Sequence, residues 1–505
     1  MDLLNDSWIP VRATSGSGSF RLLTLEELLC HEGDWRISLP RDDLELACTQ
    51  LLVCLLQITF LPEDNRALLE RLNKSLSPEA MADAIRPCQD WFQLDHPTQP
   101  FMQTRGVKAA DVTPMQKLLI GLPEGNNHAF FNEVGEVQKV GPSIAAIVLF
   151  NQASNCPSFG GGFKGSLRGG APVTTLVMGG NLRETLWRNV LTLPRIRERL
   201  PDYEWDLSRD RPTWIKPIRE KEVIRAHEIG LARGLFWQPA RVELVKANEE
   251  AACDVIGVSR QPVYTGFRKS RFTFNLEGLW PHPHGVQIWD KAKKEWKFVS
   301  FTTTAPAWTL LTEFVIPRGV EDANAKEGCA PAGPVVQASD IFREEPLYLL
   351  VGGYRTKQAS VLERRHELFT LAAGWDADGK GRLKRLVDVG RQAKTALRGK
   401  LYFAAQGSKE KGMKGIGAAI HETGEKLYYA RTEVLFHETL REDMTFKDWK
   451  QARRTFSERI VKTCHRIFDE LTNPYCQKPE LIPIIAWARR TLDNDLSKLT
   501  ESIEP

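Results

Sequence analysis

With 505 residues, the chain is long enough for about two or three domains with ample core. Its 42% hydrophobic and 26% charged residues match a soluble globular protein, and nine scattered cysteines without a C-x-x-C pair argue against structural zinc and for a reducing cytoplasm. The net charge of +4 is unevenly placed: residues 371–505 carry 25 Lys and Arg against 19 Asp and Glu, which hints at a polyanionic partner there.

The acidic opening Met1-Asp2-Leu3-Leu4-Asn5-Asp6 has no apolar core of the kind a signal peptide needs. Trp8-Ile9-Pro10-Val11 is strand-like, and Pro10 suggests an edge. Acids at Asp42 and Asp43 open an apolar helix over 43–59, where Glu45, Gln50 and Gln57 favour a buried helix over a membrane span. A second helix is predicted over about 78–92. Phe101 to Thr104 is extended, and the polar segment running from Asn126 past Phe130, Phe131 and Asn132 reads as a docking or base-stacking loop, or as a loop anchored by half-buried rings.

The most unusual stretch is Cys156 to Gly170, with Gly160, Gly161, Gly162, Gly165, Gly169 and Gly170 around Lys164 and Arg168. Glycine supplies positive φ and close backbone approach at an entropic cost, and the cations point to an anionic neighbour, a phosphate backbone or a nucleotide. Gly160, Gly162 and Gly165 satisfy G-x-G-x-x-G, but no strand precedes them and Gly169-Gly170-Ala171-Pro172 blocks a following helix, so no dinucleotide cofactor is expected. A phosphate-binding P-loop fails because Ser166 stands where lysine is required. A purely structural omega-type loop is the competing reading.

Beyond it, Val173–Val177 reads as a strand and Arg183–Leu193 as a helix. Strands and tight turns are expected between 231 and 310, including Gly234–Pro239. Arg268, Lys269 and Arg271, after a turn at Thr265-Gly266, form a basic hairpin end that could enter a DNA groove or be solvated. His282 and His284 lack a third ligand nearby, so no metal is expected. A strand at Leu347–Val351 should stop at Gly352-Gly353, and Gln358 should precede a helix over 359–372. Helices over about 380–405, 416–438, 446–472 and 479–498, with short loops, form an up-down bundle. On the first, Leu383, Leu386, Gly390, Leu397 and Leu401 make a buried stripe, and Lys380, Lys384, Arg391 and Arg398 share an adjacent face, followed by Lys409, Lys411 and Lys414. That basic face suits nucleic acid.

Together these blocks resemble a known family. They are Leu3–Val11, Ser38–Asp43, Pro100–Thr104, Ser158–Gly170, Gly234–Pro239, Gly278–His284 and Gly352–His366, in one order along nearly the whole chain. They are similar to CasA proteins, the large subunits of the type I-E CRISPR surveillance complex Cascade. The resemblance implies an α+β chain: a large mixed α/β N-terminal domain over 1–375, then an all-α four-helix bundle over 376–505.

It further implies a cytoplasmic, non-enzymatic protein without cofactor or metal. Its partners would be target double-stranded DNA bearing a protospacer-adjacent motif (PAM), guide RNA, the backbone, handle-binding and small subunits of Cascade, and a helicase-nuclease, with no membrane. In this reading Gly161, with Gly160, Gly162 and Lys164, approaches the PAM from the minor groove. Arg271 enters as a finger, with Lys269 two residues earlier as the other candidate, and Gln358 wedges open the first target base pair. Phe130, Phe131 and Asn132 dock on the guide RNA handle or a neighbouring subunit, and the bundle face meets DNA or partner subunits. The chain departs from the family in carrying arginine where the finger is usually lysine, and only Cys253 where some members have a cysteine cluster. The alternative class is a metal-dependent nuclease built on Asp42, Asp43, His282 or His284.

Overall fold

A computed structural model describes residues 1–15, 18–122, 135–319, 328–357, 360–375, 379–442 and 449–501. They form two compact units. The first takes in Met1–Thr303, Pro317–Ile341 and Leu350–Leu368; the second takes in Thr304–Ile316, Phe342–Leu349 and the chain from Phe369 on.

The first unit is organised around the helix Asp42–Thr59, buried along nearly its whole length. It packs against a second buried helix, Pro142–Ser154. An apolar helix of this kind can bury polar side chains only if they find partners. Gln57 does so: its amide donates to the Leu191 carbonyl (3.0 Å) and accepts from the Leu191 N–H (2.7 Å). Among the described residues no helix is long and apolar enough to cross a membrane.

Small sheets surround these helices. Ile9–Ala13 is the middle strand of three, between Phe20–Leu23 and Trp35–Ile37, so Pro10 is not on an edge. Proline is tolerated because pairing with Trp35–Ile37 starts one residue later, at Val11, and Pro10 contributes only its carbonyl, to Ser38 N–H. The expected helix over 78–92 is shorter, Pro78–Ile85 followed by a 3₁₀ turn at Arg86–Cys88. Arg183–Leu193 resolves into Leu182–Asn189 and Leu193–Arg199, the second begun by Pro194 in its first turn.

The largest departure lies near Gln358. The strand Leu347–Lys357 does not stop at its glycines, and Ser360–Leu371 is its neighbouring strand, not a helix. Its other neighbour is Thr174–Met178. The glycines are in the strand because other groups crowd them. A Cβ at Gly352 would meet the Leu46 side chain at 2.4 Å, and one at Gly353 the Pro172 carbonyl at 3.1 Å. Residues 360–367 are rich in helix formers, but strand pairing and ion pairs such as Arg355–Glu363 (2.7 Å) decide the conformation.

The second unit contains the helices Gly379–Gln406, Ile420–Glu442, Trp449–Thr472 and Ile482–Glu501, which pack as a four-helix bundle close to the expected spans. Leu383, Leu386, Leu397 and Leu401 are fully buried. Gly390 belongs to that stripe because a Cβ there would come within 2.7 Å of Phe436 and 2.9 Å of Trp308. Trp308 stacks on Phe436 with centroids 3.8 Å apart, which is why the unit includes 304–316 as well as the expected 376–505.

Asp43 shows what an acid at a helix start can do beyond meeting the helix dipole. Burial alone would raise its carboxyl, but Arg41, bonded at 2.7 and 3.0 Å, then Arg364 and Tyr354, hold it below its ordinary value of 3.8. A depressed carboxyl stabilises the fold above its unfolded-state value, and that contribution is lost as pH falls through the folded one. Asp43→Asn should therefore cost about 3 kcal/mol at neutral pH by stranding Arg41. In urea denaturation between about pH 5 and pH 2 the variant should lose stability less steeply than the wild type.

Candidate nucleic-acid interface

The glycine loop rises from the end of the helix Pro142–Ser154 and returns at the strand Thr174–Met178. Phe163 N–H bonds to the Gly160 carbonyl (3.1 Å), and Gly169 N–H to the Ser166 carbonyl (2.9 Å), so the loop is two successive turns. Phe159 and Phe163 support it edge to face, 5.6 Å apart.

Its three consecutive glycines differ. Gly160 has φ +118°, a conformation side chains rarely adopt. Gly162 has φ +81°, and a Cβ there would lie 2.6 Å from Nη1 of Arg271. Gly161 has neither constraint: its φ is ordinary and a Cβ would meet nothing within 4 Å. Neither backbone angle nor internal crowding therefore requires glycine at 161.

Cations expected at this site do meet there. Tyr264–Ser270 is a strand paired with Arg241–Lys246, so Thr265-Gly266 is strand and not turn. The basic residues lie at a strand end, with no hairpin turn before them. Alternation puts Phe267 and Lys269 on one face, and Lys269 Nζ lies 5.0 Å from the Phe159 ring and 5.7 Å from Phe267. Arg271, the residue after the strand, is exposed and crosses Gly162. Among the described residues no carboxylate pairs with it. Lys164 is exposed, its ammonium 5.6 Å from the Phe274 ring, beside a groove lined by Trp237, Asn275 and Gly170. The rings under Lys164 and Lys269 attract their ammonium groups by cation–π interaction. Phe159, Phe267 and Phe274 are the members that sequence reasoning missed; the alternation of Phe267, Lys269 and Arg271 was the available signal.

Arg168 does not belong to this surface. It is buried, donating to Asn155 Oδ1 (2.5 Å), the Ser154 carbonyl (3.0 Å) and Thr174 Oγ1 (3.0 Å). Its charge shapes the loop from inside. His282 and His284 are buried as well, with rings 5.3 Å apart. Burial, and then the Arg168 charge, push both imidazoles down, His284 to about 3, so they stay neutral. Gly234 and Leu235 end the short helix Leu231–Leu235 and do not form a strand; a Cβ at Gly234 would collide with Trp280 at 2.1 Å. Phe130, Phe131, Asn132 and Gln358 lie outside the described residues.

Residues 2–467 match the family described as CRISPR-associated protein Cse1 (CRISPR_cse1). The chain belongs to the Cse1 family. Its fold is similar to Thermus thermophilus CasA (Cse1), at TM-score 0.71 and 18% identity over 98% of this chain and 99% of the other. Cse1 from Acidimicrobium ferrooxidans gives 0.73 at 16% identity, over 100% and 99%. A chain of a structure described as a CRISPR RNA-guided surveillance complex gives 0.69 at 17%, over 97% and 99%. At such identities the likeness establishes the fold.

On the bundle of this Cse1 chain, the expected basic face is partly occupied from within. Arg391 bonds the Thr309 carbonyl and pairs with Glu313 (3.3 Å), and Arg398 pairs with Glu425 (2.8 Å). Lys384 is exposed, and the Lys380 side chain lies outside the described residues.

The glycine geometry makes a direct prediction. Gly161→Ala should leave the thermal midpoint of this Cse1 chain within experimental error. Gly162→Ala should cost at least about 1 kcal/mol, because it adds strain at positive φ to the collision with Arg271. Equal midpoints for the two variants would show that neither the positive φ at Gly162 nor its contact with Arg271 bears on stability.

Proposed function

We propose that this chain is the non-catalytic large subunit of a type I-E CRISPR surveillance complex, Cascade. It recognises the PAM of double-stranded DNA from the minor groove, helps open the duplex for guide RNA pairing, and helps recruit a helicase-nuclease in the cytoplasm. The observation that carries this reading is Gly161, exposed, free of any internal need for glycine, beside an unneutralised Arg271 laid across Gly162. A backbone able to touch a groove floor, next to one cation, suits the minor groove, whose degenerate pattern would admit several PAMs. Arg271 is the better finger, since Lys269 lies back on Phe159 and Phe267.

The nuclease alternative built on Asp42, Asp43, His282 and His284 is less favoured, and Asp42 is half-exposed and paired with Arg364 (3.2 Å). Asp43 is matched by Arg41 and Arg364, and both histidines are buried and neutral. The bundle face, chiefly Lys380 and Lys384, is proposed to meet DNA phosphates or a partner subunit. Phe130, Phe131 and Asn132 are proposed to dock on the guide RNA handle or neighbouring subunit.

Gly161→Val tests the reading in the assembled complex. Subunit assembly should survive on size exclusion, while affinity for PAM-bearing duplex falls by about 100-fold, or roughly 2.7 kcal/mol. Unchanged affinity would return the loop to a structural role.

Gln358 is one of two residues joining the adjacent strands that end at Lys357 and restart at Ser360, a place suited to a wedge. Its amide can bond exposed bases while its stem fills the gap. Gln358→Ala should leave affinity for a short PAM duplex nearly intact. It should slow R-loop formation on a fully paired target roughly tenfold, about 1.4 kcal/mol of barrier. A target mismatched at the first protospacer pair should escape most of the defect; equal slowing on both would rule out a wedge.

A further inference from the structure

Five side chains, each more than nine-tenths buried, form one unbroken line inside the first unit. Arg168 Nη2 donates to Asn155 Oδ1 (2.5 Å), and Asn155 Nδ2 to Asn151 Oδ1 (3.0 Å). Asn151 Nδ2 donates to Tyr354 Oη (2.8 Å), whose hydroxyl donates to Asp43 Oδ2 (2.9 Å). The line begins at a group that can only donate and ends at one that, ionised, can only accept. That dictates the direction of every bond between: each amide turns its oxygen toward Arg168 and its NH₂ toward Asp43. Hydrogen bonds aligned head to tail polarise one another. Among the described residues no carboxylate pairs with Arg168, so Asp43 is the anion that its line of donors reaches.

The ends of the line matter more than its length. Asn155 and Arg168 are the two feet of the glycine loop. Tyr354 is on one hairpin strand, and the other strand supplies Arg364, whose Nη1 donates to Asp43 Oδ1 (3.2 Å).

We propose that this oriented relay couples the glycine loop to the hairpin, with Tyr354 as the positioning residue through which contact at the loop sets the hairpin for strand opening. The proposal rests on reading the loop as the PAM contact and the hairpin as the wedge carrier. Its physical part, the mechanical link, stands apart from that reading and can be tested apart from it.

Tyr354→Phe keeps the ring and removes only the hydroxyl. In the free chain, hydrogen exchange should accelerate at least about tenfold both in the hairpin, 350–357, and in the loop feet, 155–169. Faster exchange confined to 350–357 would overturn the link. In the assembled complex at saturation, Tyr354→Phe should slow R-loop formation on a paired target about tenfold. A target pre-opened at the first pair should be spared, and affinity for a short PAM duplex should stay within about threefold.

Arg364→Gln, at the half-exposed end of the line, guards against a folding defect and should slow opening in the same selective way. Tyr428→Phe removes a comparable buried tyrosine bond, to the Gly390 carbonyl (2.7 Å) in the bundle. It should lower thermal stability without changing the ratio of paired to pre-opened rates. Wild-type opening rates in both relay variants, or equal slowing on both targets, would overturn the coupling. A wild-type complex indifferent to the PAM would instead overturn the functional reading, leaving the exchange result to judge the link.

Discussion

A buried guanidinium, Arg168, with no carboxylate partner among the described residues is the constraint on which the glycine loop depends. Moving a cation out of water costs several kcal/mol unless hydrogen bonds replace its hydration. Arg168 obtains them from the Ser154 carbonyl, Asn155 and Thr174, which belong to the end of one helix, the loop's own foot and the start of a strand. Burial still brings it down to about 9, within the charged range at neutral pH. Any displacement of a loop foot would leave that charge unsatisfied. A loop with so many glycines would otherwise be free to wander, and this bond set anchors it at the point where it meets the core.

The same charge reorganises its surroundings. Burial first, and then the Arg168 charge beside them, disfavours a second positive charge on His282 and His284 and pushes both imidazoles down. At the other end of the relay Asp43 collects two arginines, so carboxylate and histidines alike are committed to structure. Side chains that read as catalytic types in the sequence are here the means of burying polar groups. The cations left near the surface of the glycine loop are Lys164, over the Phe274 ring, and Arg271, across Gly162.

How much could be read from the sequence depended on whether local pattern and tertiary demand agreed. In the bundle they did: leucines at 383, 386, 397 and 401 follow helical spacing and are all buried. At 360–371 they conflicted. Glu363, Arg364, Arg365 and Glu367 favour a helix locally, while the strand beside them supplies Arg355 as an ion-pair partner, and no local rule anticipates that partner. Arg168 was misplaced for a similar reason. A cation among glycines reads as surface, and only the fold brings Asn155 and Thr174 around it. Pro10 failed as an edge marker because, although it is in register with Leu22 on one side, the ladder to Trp35–Ile37 on the other begins only at Val11.

Gly160, Gly161 and Gly162 show the limit most clearly, since three identical letters have three physical explanations. Gly160 is needed for its backbone angle, and Gly162 for its angle and for the room it gives Arg271. Gly161 is needed for neither. A loop selected only for shape would tolerate alanine there, and alanine would reduce the entropy lost on folding. Retaining glycine where the fold gains nothing makes sense if something outside the molecule must come close. With Arg271 held against the next residue, that something meets backbone and cation together. An anionic groove wall with a shallow floor offers both contacts at once, whereas a small anion would need only the cation. On the proposed reading, the pairing of an unexplained glycine with a supported arginine is what contact with a duplex would use and a small anion would not.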